Sequence, residues 1–170
     1  MLKLMGACFV AAASFFIGLA ARQGMRRQVD LLRQLRLALE LMQGEMELHG
    51  PPVAELFDTV GRQMDGPVGS LFRGASVEMS AVTGRPPQTA MRMILEQEPS
   101  LLGQEETGLL LELCGCLGRY DLGGQSRALE LYKRRLDSMV SEAEKLLRRR
   151  ARSSMTASVC AGLALIVILL

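Results

Sequence analysis

Tryptophan is absent from this 170-residue chain, and its rings otherwise amount to two tyrosines, five phenylalanines and one histidine. So few aromatics leave no platform on which successive bases could stack. A net charge of +2 supplies no concentrated positive field of the kind nucleic acid requires. Lysine is scarce as well. Lys3, Lys133 and Lys145 are the whole set and none follows a glycine, which excludes the Gly-Lys-Ser/Thr end of a phosphate-binding loop. The single histidine, His49, has no neighbouring nucleophile and follows a long helical pattern at its breaker, so it reads as a helix cap or a solvated loop residue and not as a catalytic base.

Cysteine is limited to four positions, two of which, Cys8 and Cys160, fall in apolar ends. Cys114 and Cys116 remain, and side chains two apart on a helix point to different faces. A disulfide between them would be strained, and with His49 they lack any zinc-ligand spacing. They read as small apolar residues of a reducing compartment. The carboxylate pairs Glu45/Glu47 and Glu105/Glu106 fit solvated helix faces or the acids of a first helical turn. No cofactor, no metal and no enzymatic activity is expected.

Charge is missing from both ends. Residues 4–21 and 153–170 each run 18 residues without a charge, and all acids, with all bases except Lys3, lie between Arg22 and Arg152. An 18-residue helix is ~27 Å long at a rise of ~1.5 Å per residue, close to the ~30 Å of a bilayer's hydrocarbon core. Arg22, Arg26, Arg27, Arg33 and Arg36 follow the first run; Lys145, Arg148, Arg149, Arg150 and Arg152 precede the second. Positive flanks stay in the cytoplasm, so the middle is predicted to be cytoplasmic. The organisation expected is a membrane segment over residues 1–24, a bundle over 25–152 and a transmembrane anchor over 153–170. A cleaved signal peptide also fits the first segment, with Lys3 as its basic start and small residues before a cut, and a segment that lies shallow or packs on protein is the third alternative.

The middle is patterned for helices. Leu32, Leu35, Leu39, Met42 and Met46 step by three and four over residues 25–48. A second row, Leu31, Leu37, Leu41 and Leu48, predicts burial over more than one face, as in a central bundle helix. Two short helices then echo each other at an offset of 15 residues: Pro52-Val53-x-x-Leu56-Phe57 ending in Met64, and Pro67-Val68-x-x-Leu71-Phe72 ending in Met79. With Asp65-Gly66 as the turn they predict an antiparallel hairpin. A short helix is expected over Thr89–Gln97, stopped by Pro99. Another is expected over about Gln104–Leu117, buried through Leu109, Leu110, Leu113, Cys114 and Leu117. The last starts near Gln125 with a heptad-like seam of Leu129, Tyr132, Leu136, Met139, Ala143 and Leu146, continuing as one rod into the second apolar run. The fold class is all-α: a cytoplasmic bundle of about six helices with apolar membrane helices at both termini.

The start MLKLMGA, the run RQLRLALELMQGEM followed by VAELF, and above all LGRYDLGGQSRALELYKRRL at residues 117–136 resemble the stage III sporulation protein AB family of endospore-forming bacteria. Leu117-Gly118, Asp121 and Gln125 match that family's LG-x-x-D-x-x-x-Q signature, and the resemblance runs essentially the whole length. His49-Gly50, where Tyr-Gly is frequent, together with Cys114-x-Cys116 and the dense run Arg148 to Arg152, departs from the family pattern. The resemblance implies a bundle similar to a cytoplasmic domain of the type II secretion platform protein, its F component. It also implies a role as non-catalytic scaffold that couples a secretion-type ATPase, the stage III sporulation protein AA, to the channel between mother cell and forespore. Expected partners are that ATPase, other channel components and membrane lipid, with self-association left open and nucleic acid excluded. The expected location is the mother-cell membrane facing the forespore. Arg119, Asp121 and Gln125, at the turn before the last helix, are the candidate partner-binding residues; Asp121 equally suits a helix N-cap. A second reading is a membrane-anchored adaptor or receptor that binds helical clients without a motor.

Overall fold

The computed structural model describes the backbone at residues 2–81, 84–117 and 122–169, and side chains at residues 23–81, 84–117 and 123–149. The described residues hold six helices and no strand: α1 (Leu2–Leu48), α2 (Val53–Gln63), α3 (Gly66–Ser80), α4 (Pro87–Gln97), α5 (Gln104–Cys116) and α6 (Leu122–Leu169). The all-α expectation holds. Among the described residues no helix is long and apolar enough to cross a membrane. The uncharged runs expected to do so, residues 4–21 and 153–170, lie outside the residues whose side chains are described.

Two compact units divide the chain, Leu31–Met139 and the pair Met1–Asp30 with Val140–Leu170. In the first unit, α1 turns Leu32, Leu35, Leu39, Met42 and Met46 into the core, as their spacing predicts. It stops where Gly50 takes φ +54 and donates its N–H to the Met46 carbonyl at 3.1 Å. That left-handed residue and the prolines after it end the helix. The second leucine row behaves differently from its prediction. Leu37 is 48% and Leu48 76% exposed while Leu31 and Leu41 are half-buried, so the described residues leave much of that face uncovered.

The echoed helices form the predicted antiparallel hairpin. Gly66 turns the chain with φ +80. Contacts then run in opposite directions along the two helices. Gly61 meets Gly69, Phe57 meets Phe72, and the Ser76 hydroxyl donates to the Ala54 carbonyl at 2.8 Å. The two phenylalanines, matched members of the echo, touch edge to face with centroids 5.2 Å apart at 85°. Near the turn the backbones themselves meet. A Cβ on Gly61 would stand 2.8 Å from the Arg73 nitrogen, and one on Gly69 would run into the Met64 carbonyl, 2.9 Å from its carbon. Arg73 locks the crossing by donating to the Gly61 carbonyl at 2.7 Å.

From there the helices neighbour one another in chain order, α3 against α4 and α4 against α5. Ile94 of α4 lies over Gly74, and Gln88 lies over Gly115 of α5. Every residue expected on the buried side of α5 is buried. Glu106 is buried too, at 5% exposure, three residues after the N-cap Gly103. Its carboxyl carbon would stand 3.2 Å from a Cβ on Gly103, the reach-back position of a capping box.

In the second unit, Val29 is buried, whereas Arg26, Arg27, Lys145, Arg148 and Arg149 are exposed. Arg148 pairs with Glu144 at 3.7 Å.

Candidate partner-binding site

Of the three residues singled out in the sequence, Arg119 and Asp121 lie outside the described residues. Gln125 sits in the first turns of α6, half-buried and engaged. Its neighbour Ser126 begins a line of polar contacts between α6 and α1 that sequence reasoning did not find. Ser126 donates to Glu47 at 3.3 Å, the Lys133 ammonium to Gln43 at 3.2 Å, and Arg36 pairs with Asp137. As the α1 number falls the α6 number rises, so within this unit the helices are antiparallel. The partners are some 80 to 100 residues apart, with no local spacing to reveal them. Each contact is partly solvated, and an ion pair of this kind contributes at most ~1 kcal/mol. The seam therefore sets register more than stability. Apolar burial comes from Leu129, Tyr132 and Leu136, while Leu146, at the far end of the predicted seam, is 53% exposed.

The two described cysteines face different surroundings, as their spacing requires. Cys114 is in the core, where burial pushes its thiol up to about 12, against a smaller opposing effect of a backbone hydrogen bond. Cys116 is half-buried with its sulfur 3.9 Å from the Tyr132 hydroxyl. Burial raises the Tyr132 phenol, and Cys116 and Glu112 raise it further. Arg135, 6.0 Å above the ring, works the other way. Cys114 is not poised as a nucleophile by this environment, since desolvation favours its neutral form.

His49 stands at the end of α1 and is exposed, with its Nδ1 3.2 Å from Glu45, which also accepts from Gln63 of α2 at 3.4 Å. This is the predicted cap position, tied to its own helix and to the hairpin. Among the described residues no three His, Cys, Asp or Glu side chains gather as metal ligands. The groups that carry chemistry elsewhere are engaged here in capping, pairing between helices, or the core.

What these features define is an all-helical module: four short helices in chain order, closed by a polar seam between its first and last helices. A family model for stage III sporulation protein AB matches residues 3–170, and the chain belongs to that family. The stage III sporulation protein AB of Bacillus subtilis (strain 168) is 25% identical over the full length of both chains. A solved structure of a stage III sporulation protein AB shares the fold, with a TM-score of 0.63 at 22% identity, over 72% of this chain and 97% of that one. The chain is accordingly a sporulation protein.

Proposed function

We propose that this protein is a non-catalytic membrane platform of the channel apparatus between mother cell and forespore. Its bundle would couple a secretion-type ATPase to membrane components of the channel. The observation that carries the reading is family membership across residues 3–170, which includes both uncharged runs and their arginine-rich flanks. The runs are the anchors in this reading. The flanks hold the bundle on the cytoplasmic side of the mother-cell membrane. The absence of catalysis in the proposal draws support from the state of the chemistry-bearing groups: a buried Cys114, a paired and exposed His49, and a Glu106 engaged at its own helix start.

Docking through Arg119, Asp121 and Gln125 belongs to the same proposal. Affinity purification of the tagged full chain from sporulating cells is expected to recover the stage III sporulation AA-type ATPase with channel components. Recovery of unrelated helical clients in their place would favour the adaptor reading. Reversing Arg119 and Asp121 together (R119E/D121R) is expected to abolish ATPase recovery while the helical content and melting temperature stay unchanged. Full recovery with an intact fold would move the docking surface elsewhere.

A further inference from the structure

At ~100° per residue around a helix, Leu37, Leu41, Gly44 and Leu48 fall within a stripe about 60° wide. It lies on the side of α1 opposite Leu35, Leu39, Met42 and Met46, which fill the core. Outward faces of bundle helices are ordinarily polar. Here Leu37 is 48% and Leu48 76% exposed, Leu41 is half-buried, and a Cβ on Gly44 would meet nothing within 4 Å. Isolated surface leucines need no account, but three in register with an open glycine form a continuous apolar track. At ~1.5 Å per residue it is about 16 Å long, three helical turns. It ends toward the start of α1 at Arg33, which is exposed and falls on the same line.

Along the track the charges are of one sign, with Arg33 and Arg36 before it and Arg36 pairing with Glu40 at 3.8 Å. Between Leu37 and Leu48 the helix holds Glu40, Glu45 and Glu47 and no basic residue. Glu40 and Glu47 are exposed. Two copies of this chain meeting through the track would bring these carboxylates together, an unfavourable match in a contact that excludes water. A helix with lysine or arginine beside its apolar residues meets them with opposite charge. The open space at Gly44 lets such a helix approach closely, and the spacing of the three leucines suits anchors one turn apart.

We infer that the outer face of α1, Leu37–Leu41–Gly44–Leu48 with its glutamate borders, is a docking track for a basic amphipathic helix of another protein. The track needs only the described bundle, so its failure would leave the platform proposal standing.

The test uses the full chain in nanodiscs of neutral phosphatidylcholine. The probes are two fluorescent synthetic helices with leucines at three- and four-residue spacing, one flanked by lysines and the other by glutamates. Fluorescence anisotropy should show saturable binding of the lysine probe, at least tenfold tighter than the glutamate probe. L37E/L48E should weaken the lysine probe at least tenfold, although it adds negative charge, so the loss reports the apolar contact. E40K should shrink the preference for the lysine probe at least threefold, with Glu47 left in place because it accepts from Ser126 of α6. Both variants alter exposed positions, and an unchanged melting temperature certifies the fold. Equal affinity for the two probes, or a lysine probe indifferent to L37E/L48E, overturns the inference. So does Gly44→Cys cross-linking through residue 44 to a second copy in native membranes, which would make the track a self-association face.

Discussion

Gly69 and Gly108 both sit inside helices of the bundle, and alanine at the two sites should act in opposite directions. A Cβ on Gly69 collides with the Met64 backbone, which cannot rotate away, whereas one on Gly108 meets nothing within 4 Å. Gly69→Ala should lose about 1–3 kcal/mol or more through forced separation of α2 and α3. Gly108→Ala should gain up to ~1 kcal/mol from helix propensity alone. Urea unfolding of the two variants measures both. Cys114 makes a separate prediction. Its thiol keeps its proton to about 12 in the fold, against an ordinary value of 9.0. The unfolded chain therefore loses that proton first as pH rises, and stability falls between these values by about 1.4 kcal/mol per pH unit. Tyr132, shifted in the same direction, steepens the fall above its ordinary value of 10.0. Below pH ~9 neither group contributes. Melting temperatures taken between pH 8 and 11 should drop on the alkaline side, and Cys114→Ala should flatten the drop.

Among the elements, the α2–α3 hairpin is where local sequence was most legible. Pro52, Pro67 and the 15-residue echo give both helices, their turn and their apolar stripes, and the matched phenylalanines meet. Phe57→Ala and Phe72→Ala should each lose about 3–5 kcal/mol. The double variant should lose less than the sum by about 0.5–1.5 kcal/mol, the part owed to the edge-to-face contact. A double-mutant cycle by chemical denaturation reads this directly. The limits of α4 and α5 were legible for similar reasons, since proline and glycine punctuate them. The outer face of α1 was not. Periodicity reports which residues share a side of a helix, and it is silent on whether the same chain supplies a cover. Leu35 and Leu37 have equal hydrophobicity and opposite fates, and only the positions of the other helices separate them. The α1–α6 seam was hidden for the related reason that Arg36 and Asp137 are ordinary surface charges until the fold brings them together. The proposed docking residues were legible only as a motif, of which Gln125 is the described member.

For the whole molecule, the membrane reading makes the sharpest demands. If residues 4–21 and 153–170 both anchor the chain, either deletion should leave it in the carbonate-resistant membrane fraction, and removing both should release it. Intact mass should include residues 1–21, which a cleaved signal peptide would remove. A cysteine placed at the exposed Ser100 should stay unlabelled by a membrane-impermeant maleimide added outside cells. Labelling there would invert the orientation.

The antiparallel seam also has a consequence in time. α2 to α5 meet partners that have just been synthesised, but the polar side of α1 that carries Arg36, Gln43 and Glu47 has to wait for α6, which leaves the ribosome about 80 residues later. Contacts so distant in sequence form late and slow the search for the native state. During that wait the bundle lacks the apolar wall that Leu129, Tyr132 and Leu136 supply, the interval in which an unfinished chain is most open to aggregation. The last helix is then both a wall of the bundle and the event that completes it.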